Sequence, residues 1–116
     1  MTTAVAFDFE AKQLQRLQPE AVAAALADGR QYCWLDFDDI AEAARVLPGL
    51  EVEAEVIERI EIDQQQGQMR LGRSCIHCTL VETGLVDGNL CLNTVHVVLG
   101  KNFIATVHAG SSALIA

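Results

Sequence analysis

Two cysteines and a histidine lie within four consecutive residues of the second half of the chain, and these residue types can bind metals or transfer electrons. The segment SCIHCTLVE, residues 74–82, places His77 between Cys75 and Cys78, and Cys91 and His96 follow. Thiolate and imidazole are the preferred ligands of zinc, and a Cys-x-x-Cys pair can form a catalytic disulfide. Either chemistry requires the backbone to bring these side chains together.

The Cys-x-x-Cys segment is predicted to be a strand, which separates its two thiols. Its residues suit a pleated sheet, and it contains neither glycine nor proline to form a turn. In a strand, Cys75 and Cys78 point to opposite faces about 10 Å apart, whereas a disulfide needs Cα atoms within about 7 Å. The cysteines are therefore interpreted as structural side chains and not as a redox centre.

A histidine pair is the alternative metal site. If a hairpin closes around residues 83–89, one register places His77 opposite His96 and Cys75 opposite Val98. Two imidazoles on one face of a sheet could then bind zinc or copper with a third ligand. A slip of one residue would move the histidines to opposite faces, so this site depends on the register.

The elements that would position these residues are an alternating αβ first half and a β-rich C-terminal part. Helices are predicted from Pro19 to Gly29, from Asp38 or Asp39 to Pro48, and from Leu50 through Ile60, although residues 60–63 also alternate like a strand. Strands are predicted at residues 5–9, 31–37, 73–82, 90–99 and 103–108, with turns at Asp87-Gly88 and Gly100-Lys101-Asn102. The expected fold class is α/β, with a mixed parallel and antiparallel sheet that ends in a three-strand antiparallel meander and is covered by helices.

Local signals fix the middle helix more closely. Asp38 or Asp39 can cap its first turn, and Glu42 follows Asp39 by three residues as in a capping box. Trp34, in the preceding strand, is interpreted as packing on the sheet or in the core and not as a ligand platform.

Composition restricts the class of function. The chain has 116 residues, 51% of them apolar, so it is expected to form a single domain over residues 1–116. Its formal net charge of −8 would repel a phosphate backbone, so no nucleic-acid binding is expected. It contains no apolar run of about 20 residues and no signal peptide, and its four cysteines lack a disulfide pattern. A cytoplasmic location is therefore expected. The chain also lacks a nucleophile elbow, a phosphate-binding glycine loop and a His-Glu-x-x-His motif, so no enzymatic activity is expected.

Two stretches resemble a transporter family. The sequence TVHVVLGKNFIATVH, residues 94–108, resembles a strand, turn and strand in the N-terminal cytoplasmic domain of the CorA-type divalent-cation transporters, which include the ZntB zinc transporters. Trp34-Leu35-Asp36 and the acidic helix after it are similar to an earlier strand and helix of the same domain. The order of elements matches from about Tyr32 to His108.

The resemblance implies a regulatory domain that lies beneath a homo-oligomeric pore and contacts the membrane-spanning region of a transporter. It also implies that Mg²⁺, Co²⁺ or Zn²⁺ could bind to the domain. The family's regulatory acidic position has no matching aspartate here, so no metal ligand is transferred from it. Asp38, Asp39 and Glu42, together with His77 and His96, are the chain's own candidate ligands, although a carboxylate in such a position is more often a cap or a solvated helix side chain. The apolar Leu114 and Ile115 suggest a domain cut short at its C-terminal end. The alternative is a stand-alone, non-catalytic binding or scaffolding protein on the same fold.

Overall fold

A computed structural model describes residues 2–18, 21–27, 29, 31–62 and 68–109 of the chain. The strands are β1 (Thr2–Asp8), β2 (Gln13–Leu17), β3 (Gln31–Phe37), β4 (Gln68–Leu71), β5 (Ile76–Val86), β6 (Asn89–Leu99) and β7 (Phe103–His108). The helices are α1 (Val22–Ala27), α2 (Ile40–Val46) and α3 (Ala54–Ile62), and a 3-10 turn, Leu47–Leu50, joins α2 to the loop before α3. Pro19 and the apolar residues 114 and 115 lie outside the described residues.

The seven strands form one mixed sheet in the order β2-β1-β3-β7-β6-β5-β4. β3 and β7 pair in parallel, and the other neighbouring strands pair antiparallel. The predicted mixed sheet and its C-terminal meander are therefore confirmed. The long segment between β3 and β7 allows these two strands to run in the same direction, because parallel neighbours need a crossover connection.

The core lies between one face of the sheet and the helices. Leu35 and Phe37 of β3 are buried against Val22, Leu47 and Ile60 from the helical segments. All described helices contribute to this single cluster, so we call this side of the sheet the helix face and the other side the open face. The helix face holds the hydrophobic core, whereas Trp34 on the open face keeps 42% of its surface exposed.

Helix α2 begins and ends as the local signals predict. The Asp39 side chain accepts a hydrogen bond from the Ala41 amide at 2.9 Å, so Asp39 and not Asp38 is the cap. The helix then passes into the 3-10 turn at Pro48-Gly49, and Glu51 adopts a left-handed conformation with φ 65°. Residues 60–62 are helical and not a strand, because α3 continues through Ile62 with Ile60 in the core. The strand alternative for residues 60–63 is therefore wrong for these three residues, and residue 63 lies outside the described residues.

Two edge strands were not predicted. β2 is polar and mostly exposed, and it pairs with the last residues of β1. β4 begins at Gln68, within a polar segment that predicts a loop, and it pairs with the start of β5. Short polar edge strands lack the alternating pattern of a half-buried strand, since neither of their faces has to be apolar.

The β5–β6 hairpin is longer than predicted, and its turn determines the register. Asp87 and Gly88 both have positive φ, 51° and 80°, as a two-residue type I′ turn requires. Val86 therefore pairs with Asn89, and His77 pairs with Val98. The predicted pairs His77–His96 and Cys75–Val98 are wrong by two residues, and Cys75 lies just before β5.

Beyond the body of the sheet, the hairpin forms a two-stranded arm, residues 80–94. Among the described residues, β4 pairs with β5 as far as Thr79, and β7 pairs with β6 as far as Val95. Leu85 pairs with Leu90 in the arm, and these side chains are 76% and 68% exposed. An isolated two-stranded ribbon is marginally stable in water, so this arm is a surface that a partner could stabilise.

Candidate functional site

His77 and His96 meet on the helix face despite the shift in register. A shift of two residues keeps every side chain on its face, so His96 lies diagonally across from His77. The His77 Nε2 and His96 Nδ1 atoms are 3.1 Å apart, and the two rings stack with centroids 5.3 Å apart. The side chains are almost completely buried, with 4% and 2% exposure. The structure thus brings together the histidine pair that the sequence suggested.

The surroundings of His77 favour its neutral form. Burial lowers its pKa to about 4, and electrostatic interactions with His96, Arg59 and Arg70 add to this effect. Near neutral pH, His77 is therefore an uncharged imidazole that shares a hydrogen bond with His96. A neutral imidazole can ligate a metal, but guanidinium groups nearby oppose the approach of a dication.

The histidine pair has only part of a metal coordination sphere. Two imidazole nitrogens 3.1 Å apart could contact one ion, yet a zinc site normally has at least three protein ligands. Over the ranges that the structure describes, no group of three or more His, Cys, Asp or Glu side chains is arranged to hold a metal ion. A cation at this pair would need ligands from solvent or from another molecule.

The acidic candidates lie on a different element from the histidines. Asp39 uses one carboxylate oxygen as the helix cap. The Glu42 carboxylate oxygen lies 4.0 Å from a guanidinium nitrogen of Arg45. Asp38 directly precedes the cap, so the three carboxylates are close together in sequence, and we call them the acidic group at the start of α2. Each carboxylate retains oxygen lone pairs that could serve a hard cation.

The cysteines lie in four separate places. Cys33 and Cys75 are buried, Cys78 is half-buried, Cys91 is exposed in the arm, and all four are free thiols. Burial raises the pKa of the Cys33 and Cys75 thiols, so both stay protonated and are weak nucleophiles. This agrees with their interpretation as structural side chains.

A polar cluster on the open face was not predicted from the sequence. Thr106 donates to the Asp36 carboxylate at 2.7 Å, and His108 Nε2 lies 2.9 and 3.1 Å from the two carboxylate oxygens. The Trp34 indole donates to Thr106 Oγ1 at 3.1 Å. Because the threonine hydroxyl contacts the carboxylate and not the imidazole, His108 is not placed to remove its proton. The arrangement is therefore a structural tie between β3 and β7, unlike a nucleophile with its base.

This cluster connects the two stretches that carry the family resemblance. Trp34 and Asp36 belong to the first stretch, and Thr106 and His108 belong to the second. Asp36 pairs with Thr106 in the parallel ladder between β3 and β7. In the sequence, this cluster is indicated only by polar residues, such as Thr106 and His108, that are two positions apart in a mostly apolar strand.

The Gly-Lys-Asn-Phe turn has a structural role at the opposite end of β7. Asn102 donates a side-chain hydrogen bond to the Leu26 carbonyl of α1 at 2.9 Å, and its own carbonyl accepts from the Cys33 amide at 3.1 Å. A Cβ atom at Gly100 would overlap the ring of Phe103. The turn therefore joins α1, β3 and β7, and residue 100 must be glycine for the Phe103 ring to keep its position.

Comparison with known proteins identifies the fold. No protein-family model matches the sequence, and no curated protein is similar enough in sequence to count as a relative. The soluble domain of CorA from Methanocaldococcus jannaschii superimposes with a TM-score of 0.65 over 93% of this chain and 41% of that one, at 10% identity. The chain has the fold of the CorA soluble domain.

Two longer structures extend this likeness. The full-length CmaX protein matches with a TM-score of 0.75 and 11% identity, over 97% of this chain and 36% of that one. The complete CorA magnesium transporter from Methanocaldococcus jannaschii matches with a TM-score of 0.65 and 13% identity, over 93% of this chain and 32% of that one. The chain thus spans about a third of the length of either full protein. In the part of this chain that the structure describes, no helix is long and apolar enough to cross a membrane.

Proposed function

We propose that this chain is the regulatory domain of a CorA-like divalent-cation transporter, positioned on the cytoplasmic side of the membrane. The observation that carries this proposal is the CorA-type fold over 93% of the chain. Two of the structural neighbours come from CorA, described as a magnesium transporter, and the polar cluster around Asp36 holds two strands together. The domain is accordingly proposed to be non-catalytic, and its role is to couple cation occupancy to the state of a pore formed elsewhere.

The acidic group at the start of α2 is the proposed cation contact. Asp38, Asp39 and Glu42 supply oxygen atoms, which Mg²⁺ and Co²⁺ accept as ligands, and a second subunit would complete the coordination sphere. The excess of 16 acidic over 8 basic residues would concentrate cations near the surface. His77 and His96 are the second candidate, for Zn²⁺, although Arg59 and Arg70 disfavour a dication there.

The proposed domain works as a homo-oligomer, because one subunit provides too few ligands for a cation site. The hairpin arm offers an apolar surface for contacts between subunits. Leu85, Leu90 and Leu92 lie on the same face of the arm and are 76%, 68% and 43% exposed. Contiguous exposed apolar side chains of this kind commonly mark protein interfaces.

The test of assembly is the mass of the chain in solution, measured by light scattering with and without millimolar Mg²⁺, Co²⁺ or Zn²⁺. The proposal predicts a mass above that of the 12.6 kDa monomer, increased by at least one of these cations. The variant Leu85→Asp/Leu90→Asp should reduce assembly, whereas Asp87→Asn at the same hairpin tip should not, because asparagine also suits the turn. A monomer under every condition would contradict the oligomeric part of the proposal.

The alternative function is a stand-alone binding or scaffolding protein on the same fold. The exposed leucines of the hairpin arm favour this reading, since they would suit a protein partner without any cation. Assembly that is unaffected by all three cations would support the alternative over the cation-coupled domain.

A further inference from the structure

A cleft of about 970 Å³ opens between the start of α3 and the strands β4 and β5. Its walls come from three parts of the chain that are far apart in sequence. Arg59 projects from α3, Arg70 from β4, and Arg73 from the loop before β5. His77 contributes to the wall between them.

The positive charge of this cleft is unusual for the chain. Only 8 of the 116 residues are lysine or arginine, and the formal net charge is −8. Three arginines nevertheless line one cleft. Two of them, Arg59 and Arg70, are near enough to His77 to help lower its pKa. The cleft therefore concentrates positive charge on a protein that is acidic overall, and a local field of that sign attracts anions.

Two acidic residues, Glu53 and Glu55, are among the described residues that line the cleft. Glu53 is held at the wall because its carboxylate accepts a hydrogen bond from the Ser74 amide at 2.9 Å. It thereby fixes the loop that carries Arg73 against the start of α3. Glu55 is exposed in the first turn of the helix. The arginines outnumber these carboxylates, and His77 is neutral.

The start of α3 adds a second feature that suits an anion. Ala54, Glu55 and Val56 line the cleft, and they form the first turn of a nine-residue helix. The first amides of a helix have no acceptor within it, and they lie at the positive end of its dipole. The Val56 amide already donates to the Glu53 carbonyl at 3.1 Å, so the start of α3 contributes to the cleft mainly through its dipole.

We propose that this cleft binds a small phosphate-bearing anion, whose oxygens accept hydrogen bonds from Arg59, Arg70 and Arg73. Guanidinium groups match phosphate because their forked donors can reach two oxygens at once. A cleft of this volume has room for a small phosphorylated metabolite. This proposal goes beyond the cation-coupled function and does not depend on it, because the acidic group at the start of α2 lies outside the cleft.

The test is isothermal titration calorimetry of the 116-residue chain with sodium pyrophosphate, and with inorganic phosphate, at an ionic strength held constant with sodium chloride. The proposal predicts saturable binding and an increase in the thermal midpoint with ligand. Replacing either Arg59 or Arg73 with glutamine should weaken pyrophosphate binding at least about 10-fold, because a hydrogen bond to a charged group contributes about 1.5–3 kcal/mol.

The matched control is Arg45→Gln, which removes the same charge from an exposed position on α2 outside the cleft. Its affinity for pyrophosphate should stay within about 2-fold of the parent, since distant exposed charges are screened. Arg73 lies in an exposed loop, so its variant keeps the test valid even if the Arg59 variant folds poorly. Circular dichroism without ligand verifies that each variant is folded.

Three results would overturn the proposal. One is the absence of saturable binding up to about 10 mM pyrophosphate. A dissociation constant of that size corresponds to a binding free energy of only about 3 kcal/mol. Another is an equal loss of affinity in the Arg45 and Arg73 variants, which would mean attraction by net charge alone. The third is tighter binding of citrate than of pyrophosphate at equal ionic strength, which would assign the cleft to carboxylates.

Discussion

The two faces of the sheet use buried histidine in different ways. On the helix face, His77 bonds to another imidazole, 3.1 Å away, and guanidinium groups help to keep it uncharged. On the open face, His108 contacts both oxygens of the Asp36 carboxylate, which also accepts a hydrogen bond from Thr106. The same residue type is thus an uncharged member of a histidine pair in one place, at His77, and part of a carboxylate cluster in the other. The partner in the neighbouring strand determines which role it has.

The largest effect is expected when the carboxylate of the open-face cluster is removed. Asp36→Ala removes the carboxylate that accepts from the Thr106 hydroxyl and contacts the buried His108 imidazole, which should cost about 3 kcal/mol of unfolding free energy. Urea unfolding measures this loss. Glu58→Ala on the exposed side of α3 is the control and should change stability by less than about 0.5 kcal/mol. A loss below about 1 kcal/mol for Asp36→Ala would show that the cluster does not tie β3 to β7.

The second effect is a loss of stability in mild acid that originates from the helix face. The pKa of His77 is about 4 in the folded protein, below the ordinary value near 6.5, so the unfolded chain takes up the proton first. The contribution of His77 to stability is complete above pH 6.5 and is lost as the pH falls from there to about 4. At about 1.4 kcal/mol per pKa unit, the loss is at most about 3 kcal/mol.

The variant His77→Gln isolates this contribution, because glutamine does not titrate but can still bond to His96. The charged or titratable groups around His77 are His96 on β6, Arg59 on α3 and Arg70 on β4, and they are unchanged in the variant. Urea unfolding between pH 4 and pH 7 should give a shallower pH dependence for the variant than for the parent. Equal slopes would mean that His77 is not protonated on unfolding.

The smallest effect is expected at the rim of the open-face cluster. Trp34→Phe removes the indole donor that lies 3.1 Å from Thr106 Oγ1, and it should cost about 1 kcal/mol because the site is half-exposed. A double-mutant cycle with Thr106→Val distinguishes this bond from a general packing loss. Additive costs for the two changes would contradict a direct interaction.

Several parts of the fold could be predicted because the responsible interactions are local. The strand Gln31–Phe37 has the predicted bounds, Asp39 caps α2 as its sequence context indicates, and Asp87-Gly88 forms the hairpin turn. Each of these depends on residues close together in the chain. The contact between His77 and His96 was also anticipated, since an error of two residues in register preserves the face of a strand.

The parts that could not be predicted depend on contacts distant in sequence. Asp36 and Thr106 are neighbours because β3 and β7 pair in parallel, and nothing in either strand specifies its partner. The arginine cleft requires α3, β4 and the loop before β5 to meet, and β4 itself has no clear strand pattern. Position in the folded sheet, and not the local pattern, creates these sites.

The central claim, that this CorA-like fold couples to a divalent cation, is tested most directly by thermal melting of the chain with millimolar Mg²⁺, Co²⁺ or Zn²⁺. A cation that binds only the folded state should raise the melting temperature in proportion to its occupancy. Asp38→Asn/Asp39→Asn/Glu42→Gln should abolish the increase, because asparagine preserves the cap on α2 while the negative charges are lost. Asp87→Asn is the control and should keep the increase. No shift with any of the three cations would contradict the claim, and an equal shift in the triple variant would contradict the acidic group at the start of α2 as the cation contact.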